Sequence, residues 1–420
     1  MRIEKPALFG NRREWGYFIV LIGLLLSVRL FVSYQSYRDF VTKPLYYTTA
    51  TILNTYPKER NGRAYSVLKL HDEEGRVFFT SANSTKHHRG ERVRLALYPG
   101  ERIGFWDYLG SFYIKSRIAQ TFPSPPTIKQ QLEQKVASQH DDPMTKSFYQ
   151  GIFFASPLSQ ALREKISLLG VSHLVALSGF HLGILWSLIY GLLLFVYKPV
   201  QQRYFPYRFS LLDVGFVTVL VLGLYLWFVA FPPSLVRSCA MVLVGWVVIL
   251  LGMELLSFTF LTIIGLILLL LFPALLVSLG FWLSIAGVFY IFLLLHYTKG
   301  LHKGIISLLV IPLGIFVLML PVVHTVFGMT TPYQLLSPLL SILFIPFYPL
   351  AMVLHLLGVG GILDDGLLWL FGFSPVGTEK LMPFWAAAVY VGLSVAAIWS
   401  RVVFLLLLVL ALLYAAFLFV

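Results

Sequence analysis

The residues best suited to chemistry lie in one short segment, GVSHLVALSGFHLG, which covers residues 170–183. It places His173, Ser178 and His181 in an otherwise apolar run. Imidazole and hydroxyl groups need hydrogen-bond partners in hydrocarbon, and in membrane proteins they normally face a bundle interior or a water-filled path. This segment is therefore the first candidate for a functional site.

Four roles are open to these side chains. If the segment is one helix, His173 and His181 lie on neighbouring faces, because their separation is a little over two turns. Catalysis by Ser178 would require an orienting acid, and neither an acid nor a G-x-S-x-G motif is nearby. A metal site needs three or four ligands, and the segment has two histidines. Hydrogen bonding between helices and lining of a polar path agree better with the pattern, so no catalytic and no metal site is predicted.

Two further segments combine polar or small residues with apolar ones. Pro232-Pro233 is followed by SLVRSCAM, in which Arg237 either extends to the membrane interface or meets an anion inside the bundle. Residues 278–287, SLGFWLSIAG, have the small-residue spacing typical of closely packed helices. The glycines expected to allow packing or a helix break are Gly179, Gly183, Gly280 and Gly287. No role is assigned to the scattered His296, His324 and His355.

The composition is that of a membrane protein. Of 420 residues, 58% are hydrophobic and only 12% are charged, and the mean hydropathy is +0.80. Soluble domains are nearer to a quarter charged. Several uncharged runs reach the ~20 residues that cross the hydrocarbon core. We therefore predict a polytopic α-helical membrane protein with about 10 transmembrane helices.

The spans are predicted from apolar runs between charged or turn residues. The first is Tyr17–Val32, which follows Arg12-Arg13 and is an uncleaved signal anchor within residues 1–34. Residues 361–373 are short and contain Asp364-Asp365, so they are expected to be re-entrant. The other predicted spans are 180–197, 210–230, 236–253, 257–274, 278–297, 304–325, 335–357, 384–400 and 402–420.

Residues 35–125 change to a β-rich pattern. Asn61-Gly62 between two such runs predicts a hairpin turn. Several short strands in this length favour a small extramembrane β-barrel of the OB type. With the N-terminus in the cytoplasm, this domain would lie in the periplasm. The predicted strands are Tyr46–Leu53, Ala64–Leu70, Arg76–Thr80 and Arg92–Leu97.

The basic charge is concentrated in the same part of the chain. The net charge is +13, and most of it lies in residues 1–165. Such a charge indicates an anionic partner, or it serves solvation and topology. Aromatic rings interspersed with arginines suit stacking on a single nucleic acid strand, although the barrel core is the favoured place for the same rings, and both can hold for different rings. The candidate DNA-binding residues are Arg63, Arg76, Arg92, Arg94, Phe78 and Phe79.

Residues 126–169 are expected to form a linker and amphipathic helices. Pro123–Pro126 ends the β-rich region. Ser156-Pro157 predicts a helix start, with the serine as cap and the proline in the first helical position. Leu158, Leu162 and Ile166 then follow at near-helical spacing. This helix would lie at the membrane surface or pack on the bundle.

Four of these segments resemble, in order, the sequence blocks of the ComEC family of competence DNA channels. Residues 170–183 resemble G-x-S-H-L-x-A-x-S-G-x-H-x-G, the most specific block. SLVRSCAM resembles S-x-x-R-A-x-x-M, with Ser238 in place of the usual alanine. GFWLSIA resembles F-x-L-S-x-A, and residues 334–350 resemble a later span with an Ile-Pro pair. The resemblance covers about residues 45–360.

The resemblance implies that residues 170–360 form a channel in the bacterial inner membrane. It would pass one strand of incoming DNA to the cytoplasm during natural transformation. The implied path residues are His173, Ser178, His181, Arg237 and Ser284, and no cofactor is implied. The implied partners are incoming single-stranded DNA, the lipid bilayer and a periplasmic DNA receptor protein. A separate cytoplasmic motor or single-strand-binding protein is also implied. A second copy of the chain in a homo-oligomer is one further option.

One departure from the resemblance concerns the C-terminus. Many family members continue into a metallo-β-lactamase-like domain, whereas residues 361–420 of this chain are read as transmembrane helices. The chain has no P-loop and no H-x-H-x-D-H motif, so we expect it not to be an enzyme.

Two other functional classes remain as alternatives. A membrane glycan polymerase or glycosyltransferase would need charged groups in a late outside loop, and the late loop 327–334 carries none. A small-solute transporter would favour inverted repeats, and none is apparent.

Overall fold

The computed structural model describes residues 11–60, 63–82, 89–100, 102–122, 127–250, 257–373 and 377–419. These residues form two compact units. The sheet unit contains residues 9–127 together with 263–281, and the helical unit contains 128–262 and 282–420. The predicted Asn61-Gly62 turn and Pro123–Pro126 linker lie outside the described residues.

The sheet unit begins with a long helix and continues as a six-stranded sheet. Its strands have the spatial order β5-β3-β2-β1-β4-β6, and all neighbours are antiparallel except β3 and β5. A bulge between Ile52 and Asn54 shifts the register of β1 against β2. The elements are α1 (Arg12–Val41), β1 (Tyr46–Arg60), β2 (Arg63–Asp72), β3 (Val77–Ala82), β4 (Arg92–Tyr98), α2 (Phe105–Leu109), β5 (Phe112–Tyr113) and β6 (Lys115–Phe122).

Alternation along the strands builds a core on one face of this sheet. In β4, Val93, Leu95 and Leu97 are fully buried, whereas Arg92, Arg94 and Tyr98 are exposed. This is the period-2 pattern of a strand with one apolar and one polar face. The sheet domain predicted from the sequence is thus present. The hydroxyls of Thr80 on β3 and Ser116 on β6 lie 2.7 Å apart.

The first helix contributes to this core and is longer than expected. α1 continues past the predicted domain boundary at residue 34, and Phe40 near its end is buried among the sheet residues. The Tyr37 hydroxyl donates to the carbonyl of Ile103 at 2.8 Å. The end of the anchor helix therefore belongs to the sheet domain, because it covers the apolar face of the sheet.

The helical unit contains the helices that match the predicted spans. Its first part consists of α3 (Ile128–Ala137), α4 (Pro143–Phe154), α5 (Gln160–Leu168), α6 (Ser172–Val175), α7 (Gly179–Tyr204), α8 (Ser210–Phe228), α9 (Pro233–Leu250) and the start of α10 (Phe258–Leu271). Its second part consists of α11 (Leu279–Tyr297), α12 (Lys303–Ile305), α13 (Ile311–Val323), β7 (Met329–Thr330), α14 (Ser337–Leu356), α15 (Asp364–Gly372), β8 (Thr378–Glu379), α16 (Phe384–Ala396) and α17 (Arg401–Phe419).

Two hydrophobic cores hold these helices together. The first is formed by α4 to α9 with α14 and α15, around fully buried residues such as Tyr149, Leu182 and Tyr348. The second is formed by α11, α13, α16 and α17, around Leu293 and Leu407. The predicted channel region, residues 170–360, is therefore divided between the two cores.

The protein is a multi-pass membrane protein. Within the described residues, seven helices are long and apolar enough to cross a membrane: α1, α7, α8, α11, α14, α17 and the continuous stretch Lys303–Val323. Three shorter apolar helices occur at Ser234–Val247, Phe258–Leu271 and Phe384–Ala396. The count of about 10 spans therefore depends on whether these shorter helices also cross. α15 is too short to span, as expected for residues 361–373.

One predicted helix start is wrong. Ser156 does not cap a helix, because it belongs to the end of α4. That helix ends with Ala155 in the left-handed conformation, and the Ser156 amide donates to the Gln150 carbonyl of its last turn. The Ser156 hydroxyl instead donates to Glu133 at 2.7 Å. The next helix, α5, begins at Gln160 with Ser159 as its cap.

The two faces of β3 predict different responses to truncation. Phe78 is fully buried and Phe79 is half-buried on the opposite face, with the Lys69 ammonium 5.8 Å from its ring. We expect Phe78→Ala to lower the free energy of unfolding of the sheet unit by about 3–5 kcal/mol, because it leaves a core cavity. Phe79→Ala should cost about 1 kcal/mol or less.

Pulse proteolysis of the full-length chain in increasing denaturant measures this difference. Cleavage within residues 45–122 reports unfolding of the sheet. Equal losses for the two variants would contradict the assignment of Phe78 to the core face.

Candidate functional site

The candidate segment is not one helix. α6 ends after Val175, Ala176 and Ser178 are extended, and α7 begins at Gly179. Ser178 is the N-cap of α7, and its hydroxyl accepts a hydrogen bond from the Phe180 amide at 3.3 Å. The single helix considered as one case for His173 and His181 is therefore not formed, and α7 begins at Gly179. The reason is that a serine side chain competes for free helix-end amides and favours a break at that position.

His181 completes the cap and is fully buried. The Ser178 amide donates to Nδ1 of His181 at 3.3 Å, and the ring lies edge-on to Phe344 and Tyr348 of α14. Because Nδ1 accepts, Nε2 of a neutral ring carries the hydrogen. This Nε2 has no hydrogen-bond partner among the described residues. His181 therefore presents a buried donor within the first core.

His173 and Ser178 differ from His181 in their surroundings. His173 lies on the short helix α6 and is exposed, with Nε2 at 3.2 Å from the Ser341 hydroxyl of α14. Ser178 is half-buried, and its hydroxyl lies 3.4 Å from Nδ1 of His181. All three predicted residues thus come together around α14, and the contacts of Ser178 are those of a helix cap.

Hydroxyl groups from other helices satisfy the carbonyls that the broken segment leaves free. The Ser234 hydroxyl donates to the Leu177 carbonyl at 2.7 Å, and the Ser337 hydroxyl donates to the Gly170 carbonyl at 3.1 Å. The Thr331 hydroxyl donates to the carbonyl of Leu168, which precedes the segment, at 2.6 Å. Three of the four sequence blocks, 170–183, 234–241 and 334–350, therefore meet.

Glycines in this segment allow close contacts. Gly170 has φ +68°, and a Cβ there would lie 3.1 Å from Cγ of Gln334. A Cβ on Gly179 would lie 2.9 Å from the Ser238 hydroxyl oxygen of α9. Ser238, the residue that replaces the family's alanine, thus packs directly on the start of α7. Arg237, the preceding residue, is 7% exposed and lies inside the bundle.

The remaining predicted packing residues are placed differently. A Cβ on Gly183 or Gly287 would meet no atom of the described residues within 4 Å, so neither position is a close helix contact. Gly280 is exposed in the first turn of α11. Ser284 is half-buried on the same helix, which belongs to the second core. The structure thus does not join Ser284 to the His181 site.

In the sheet unit, two of the predicted DNA-binding residues belong to the interior. Arg76 is buried, with its guanidinium 2.6 Å from the Asp72 carboxylate and 4.6 Å from the rings of Phe40 and Tyr46. Phe78 is a core residue. Neither is available to a nucleic acid, because the sheet folds with these side chains on its covered face. The Arg63 side chain lies outside the described residues.

The exposed predicted residues share a face with others that the sequence did not single out. Arg92 is exposed but paired with Glu73 at 2.8 Å, and Arg94 is exposed. The strand register places Tyr47 of β1, Arg94 and Tyr98 of β4, and Arg117 and Lys115 of β6 on this same face, and all five are exposed. We call these five residues the outer face. β4 and β6 contain no acidic residue.

Sequence reasoning missed parts of both sites for an identifiable reason. β6 was not predicted, so Lys115 and Arg117 were not considered. Phe344 and Tyr348 were treated as span residues, although their spacing of one helical turn places them on one face of α14. That spacing, together with a tyrosine inside an apolar span, was the available signal.

The comparisons with known proteins identify the family. The family model described as "Competence protein" matches residues 154–419, well over half of the chain. The chain therefore belongs to the competence protein family, and the expected resemblance to ComEC-type competence proteins is confirmed. A search of curated proteins and a search of solved structures each gave no match. The family indicates a role in DNA uptake in competence.

The contact between Gly179 and Ser238 predicts a position-specific effect. We expect Gly179→Ala to lower the free energy of unfolding by about 1–3 kcal/mol, because the added methyl overlaps the Ser238 hydroxyl. Gly183→Ala, one turn later in α7, should be neutral or stabilising by up to about 1 kcal/mol, since alanine favours helix.

Thermal unfolding of the full-length chain in detergent measures both variants. Removing the hydroxyl in the double variant Gly179→Ala/Ser238→Ala should recover part of the loss. Equal behaviour of the two alanine variants would contradict the close contact between α7 and α9.

Proposed function

We propose that this chain is an inner-membrane channel that transports a single strand of DNA into the cytoplasm during natural transformation. The observation that carries the proposal is the match of residues 154–419 to the competence protein family. It is supported by the contacts among three family-like sequence blocks, residues 170–183, 234–241 and 334–350.

The outer face of the sheet unit is the proposed receiving surface for DNA. Neighbouring strands put Tyr47 and Arg117 on either side of Ala96, and Tyr98 is paired in register with Lys115. Phosphates are bound by cations, and aromatic rings stack on bases without sequence preference. This mixture therefore fits a single strand of any sequence.

The helical unit supplies the proposed path across the membrane. Arg237 is a buried cation, and its neighbour Ser238 packs against the start of α7. A guanidinium binds phosphate through several donors. His173 is exposed next to Ser341. Polar groups of this kind in an apolar bundle are characteristic of substrate pathways.

The proposed topology places the N-terminus in the cytoplasm and the sheet unit in the periplasm. Arg12 and Arg13 at the start of α1 fit a cytoplasmic N-terminus under the positive-inside rule. Lys198 and Arg203 near the end of α7, and Arg208 just after it, fit a cytoplasmic end of that helix. In this arrangement the three shorter apolar helices also cross the membrane, giving about 10 spans. A periplasmic receptor would deliver DNA and a separate cytoplasmic motor or binding protein would pull it.

Removing cations from the outer face should weaken DNA binding. For the full-length chain in nanodiscs, we expect Arg94→Ala/Arg117→Ala to reduce affinity for a fluorescent single-stranded oligonucleotide about 10-fold or more. The slope of log affinity against log salt should fall by about 1.4, because each lost phosphate contact in a single strand contributes about 0.7. Fluorescence anisotropy from 50 to 300 mM salt measures both.

A matched control removes a similar charge elsewhere. Arg203→Ala takes away an exposed arginine near the end of α7 in the helical unit and should leave binding unchanged. Tyr47→Ala/Tyr98→Ala should weaken binding with an unchanged salt slope, since rings contribute by stacking. Unchanged affinity in both outer-face variants would remove this surface from the proposal.

Arg237 is expected to be needed for transport. In a deletion strain complemented with the full chain, Arg237→Leu should reduce uptake of labelled DNA into the cytoplasm at least 10-fold, with DNA retained outside the inner membrane. Arg237→Lys should retain part of the activity, because a cation remains at that position. Membrane levels of each variant are checked by immunoblot.

The outcomes separate the levels of the proposal. Normal uptake in the deletion strain itself would contradict a DNA transport role for the chain. Normal uptake with Arg237→Leu alone would return Arg237 to a structural role. His302→Ala, at the exposed cap of α12, is the control that should not affect uptake.

A further inference from the structure

Outside residues 170–183, two histidines and an aspartate form a buried chain of hydrogen bonds. His140 precedes α4, His355 is in the last turn of α14, and Asp364 begins α15. Nδ1 of His140 lies 2.9 and 2.8 Å from the two carboxylate oxygens of Asp364. Nε2 of His140 lies 2.9 Å from Nε2 of His355, and Nδ1 of His355 lies 2.6 Å from the carbonyl oxygen of Ala351.

The partners determine how many hydrogens the two rings hold. When Asp364 is ionised, its carboxylate and the Ala351 carbonyl can only accept, so Nδ1 of His140 and Nδ1 of His355 each carry a hydrogen. The two Nε2 atoms then face each other at hydrogen-bond distance, and one of them must also carry a hydrogen. Three hydrogens on four ring nitrogens make one of the rings an imidazolium. Asp364 supplies the balancing negative charge.

The surroundings suit a shared charge. His140 and His355 are 4% and 7% exposed, and the Tyr149 ring centroid lies 4.4 Å from both imidazole centroids. A paired carboxylate offsets the cost of burying the imidazolium, and an aromatic face adds a favourable interaction. Burial, and after it the negative charge of Asp364, raise the pKa of the Tyr149 hydroxyl, so Tyr149 stays neutral.

Backbone contacts hold the rings in place. The Gln139 side chain accepts from the Gly360 amide at 2.8 Å and donates to the His355 carbonyl at 3.1 Å. A Cβ on Gly360 would lie 2.6 Å from Nε2 of His355, so a glycine is required beside the ring. The Asp364 side chain is 15% exposed, and it is the least buried of the three groups. Among the neighbouring carboxylates, Asp142 caps α4, and Asp141 and Asp365 are exposed.

We propose that a proton-binding site is formed by Asp364, His140 and His355. The bound proton is shared between the two Nε2 atoms. It thereby holds the turn before α4 and the start of α15 against the end of α14. When the proton leaves, two nitrogen lone pairs face each other at 2.9 Å, and the rings separate. No bond is broken other than that to the released proton, which passes to water through the exposed edge of Asp364.

The site lies on the same helix as the contacts of the family segment. Ser341, Phe344 and Tyr348 of α14 contact His173 and His181. A change in the contacts at the end of α14 would therefore also alter the contacts of His173 and His181 in the candidate path. The proposal concerns this chain's own proton chemistry and does not depend on the cargo being DNA.

Nitrogen-15 NMR of the full-length chain in nanodiscs tests the proposal. With ¹⁵N-histidine at pH 7.5, where exposed histidines are mostly neutral, we expect one buried imidazolium and a coupling between two ring nitrogens across the shared hydrogen. His140→Gln assigns these signals. A wild-type spectrum in which His140 and His355 are both neutral and uncoupled would overturn the proposal without any further variant.

Adjacent aspartates provide a matched pair of variants. Asp364→Asn keeps the size and an acceptor but removes the charge, so the imidazolium signal should disappear at pH 7.5. Asp365→Asn, which changes the neighbouring exposed carboxylate, should leave it unchanged. Persistence of the imidazolium in Asp364→Asn, or a dependence of the coupled signal on added Zn²⁺ or chelator, would overturn the assignment of a proton site.

Thermal unfolding gives an independent readout. The proposed proton is bound only by the folded chain, because unfolding separates the two Nε2 atoms, so stability must fall as the pH rises through the release of that proton. We expect the unfolding temperature of the wild type and of Asp365→Asn to fall by about 2–4 °C per pH unit in that range. Asp364→Asn should lack this fall, and the same fall in Asp364→Asn would contradict the site.

Discussion

The constraint on which the helical unit depends is that a helix break inside an apolar bundle must have its backbone groups satisfied by protein. The chain leaves helical geometry between Val175 and Gly179, and hydrocarbon offers no water to replace the lost hydrogen bonds. Ser178 caps the new helix, Ser234 donates to the Leu177 carbonyl inside the break, and Ser337 donates to the Gly170 carbonyl before α6. The serine and glycine content of the family blocks follows from this requirement, because hydroxyls satisfy the carbonyls and glycines allow the helices to approach.

The helix α14 connects the separate polar features of this unit. Ser341 meets His173, Tyr348 and Phe344 pack around His181, and His355 ends the chain of hydrogen bonds with His140. Most of these groups lie on the buried face of an otherwise apolar helix. Polar contacts at this depth are directional, so the position of α14 decides whether they can all form. A movement of α14 would change them together.

The sheet unit separates its aromatic and cationic residues by strand periodicity. Phe78 and Arg76 belong to the covered face, whereas Arg94, Tyr98 and Arg117 belong to the outer face. Buried rings stabilise the domain and exposed rings are free to stack on a ligand. Aromatic residues therefore occupy both faces, buried in the core on one and exposed on the other.

The sequence by itself determined the class of the protein and the approximate limits of its helices. Long uncharged runs fold as helices in any arrangement, because the backbone must be hydrogen-bonded within the segment; hence the predicted span 278–297 and the observed α11 nearly coincide. It also identified the segment around Ser178 and His181, whose polar residues stand out against an apolar background. Only the tertiary structure decided that Ser178 breaks the helix, that Arg76 is internal, and that His140, His355 and Asp364 meet. Those outcomes depend on contacts between residues far apart in the chain, which local periodicity does not encode.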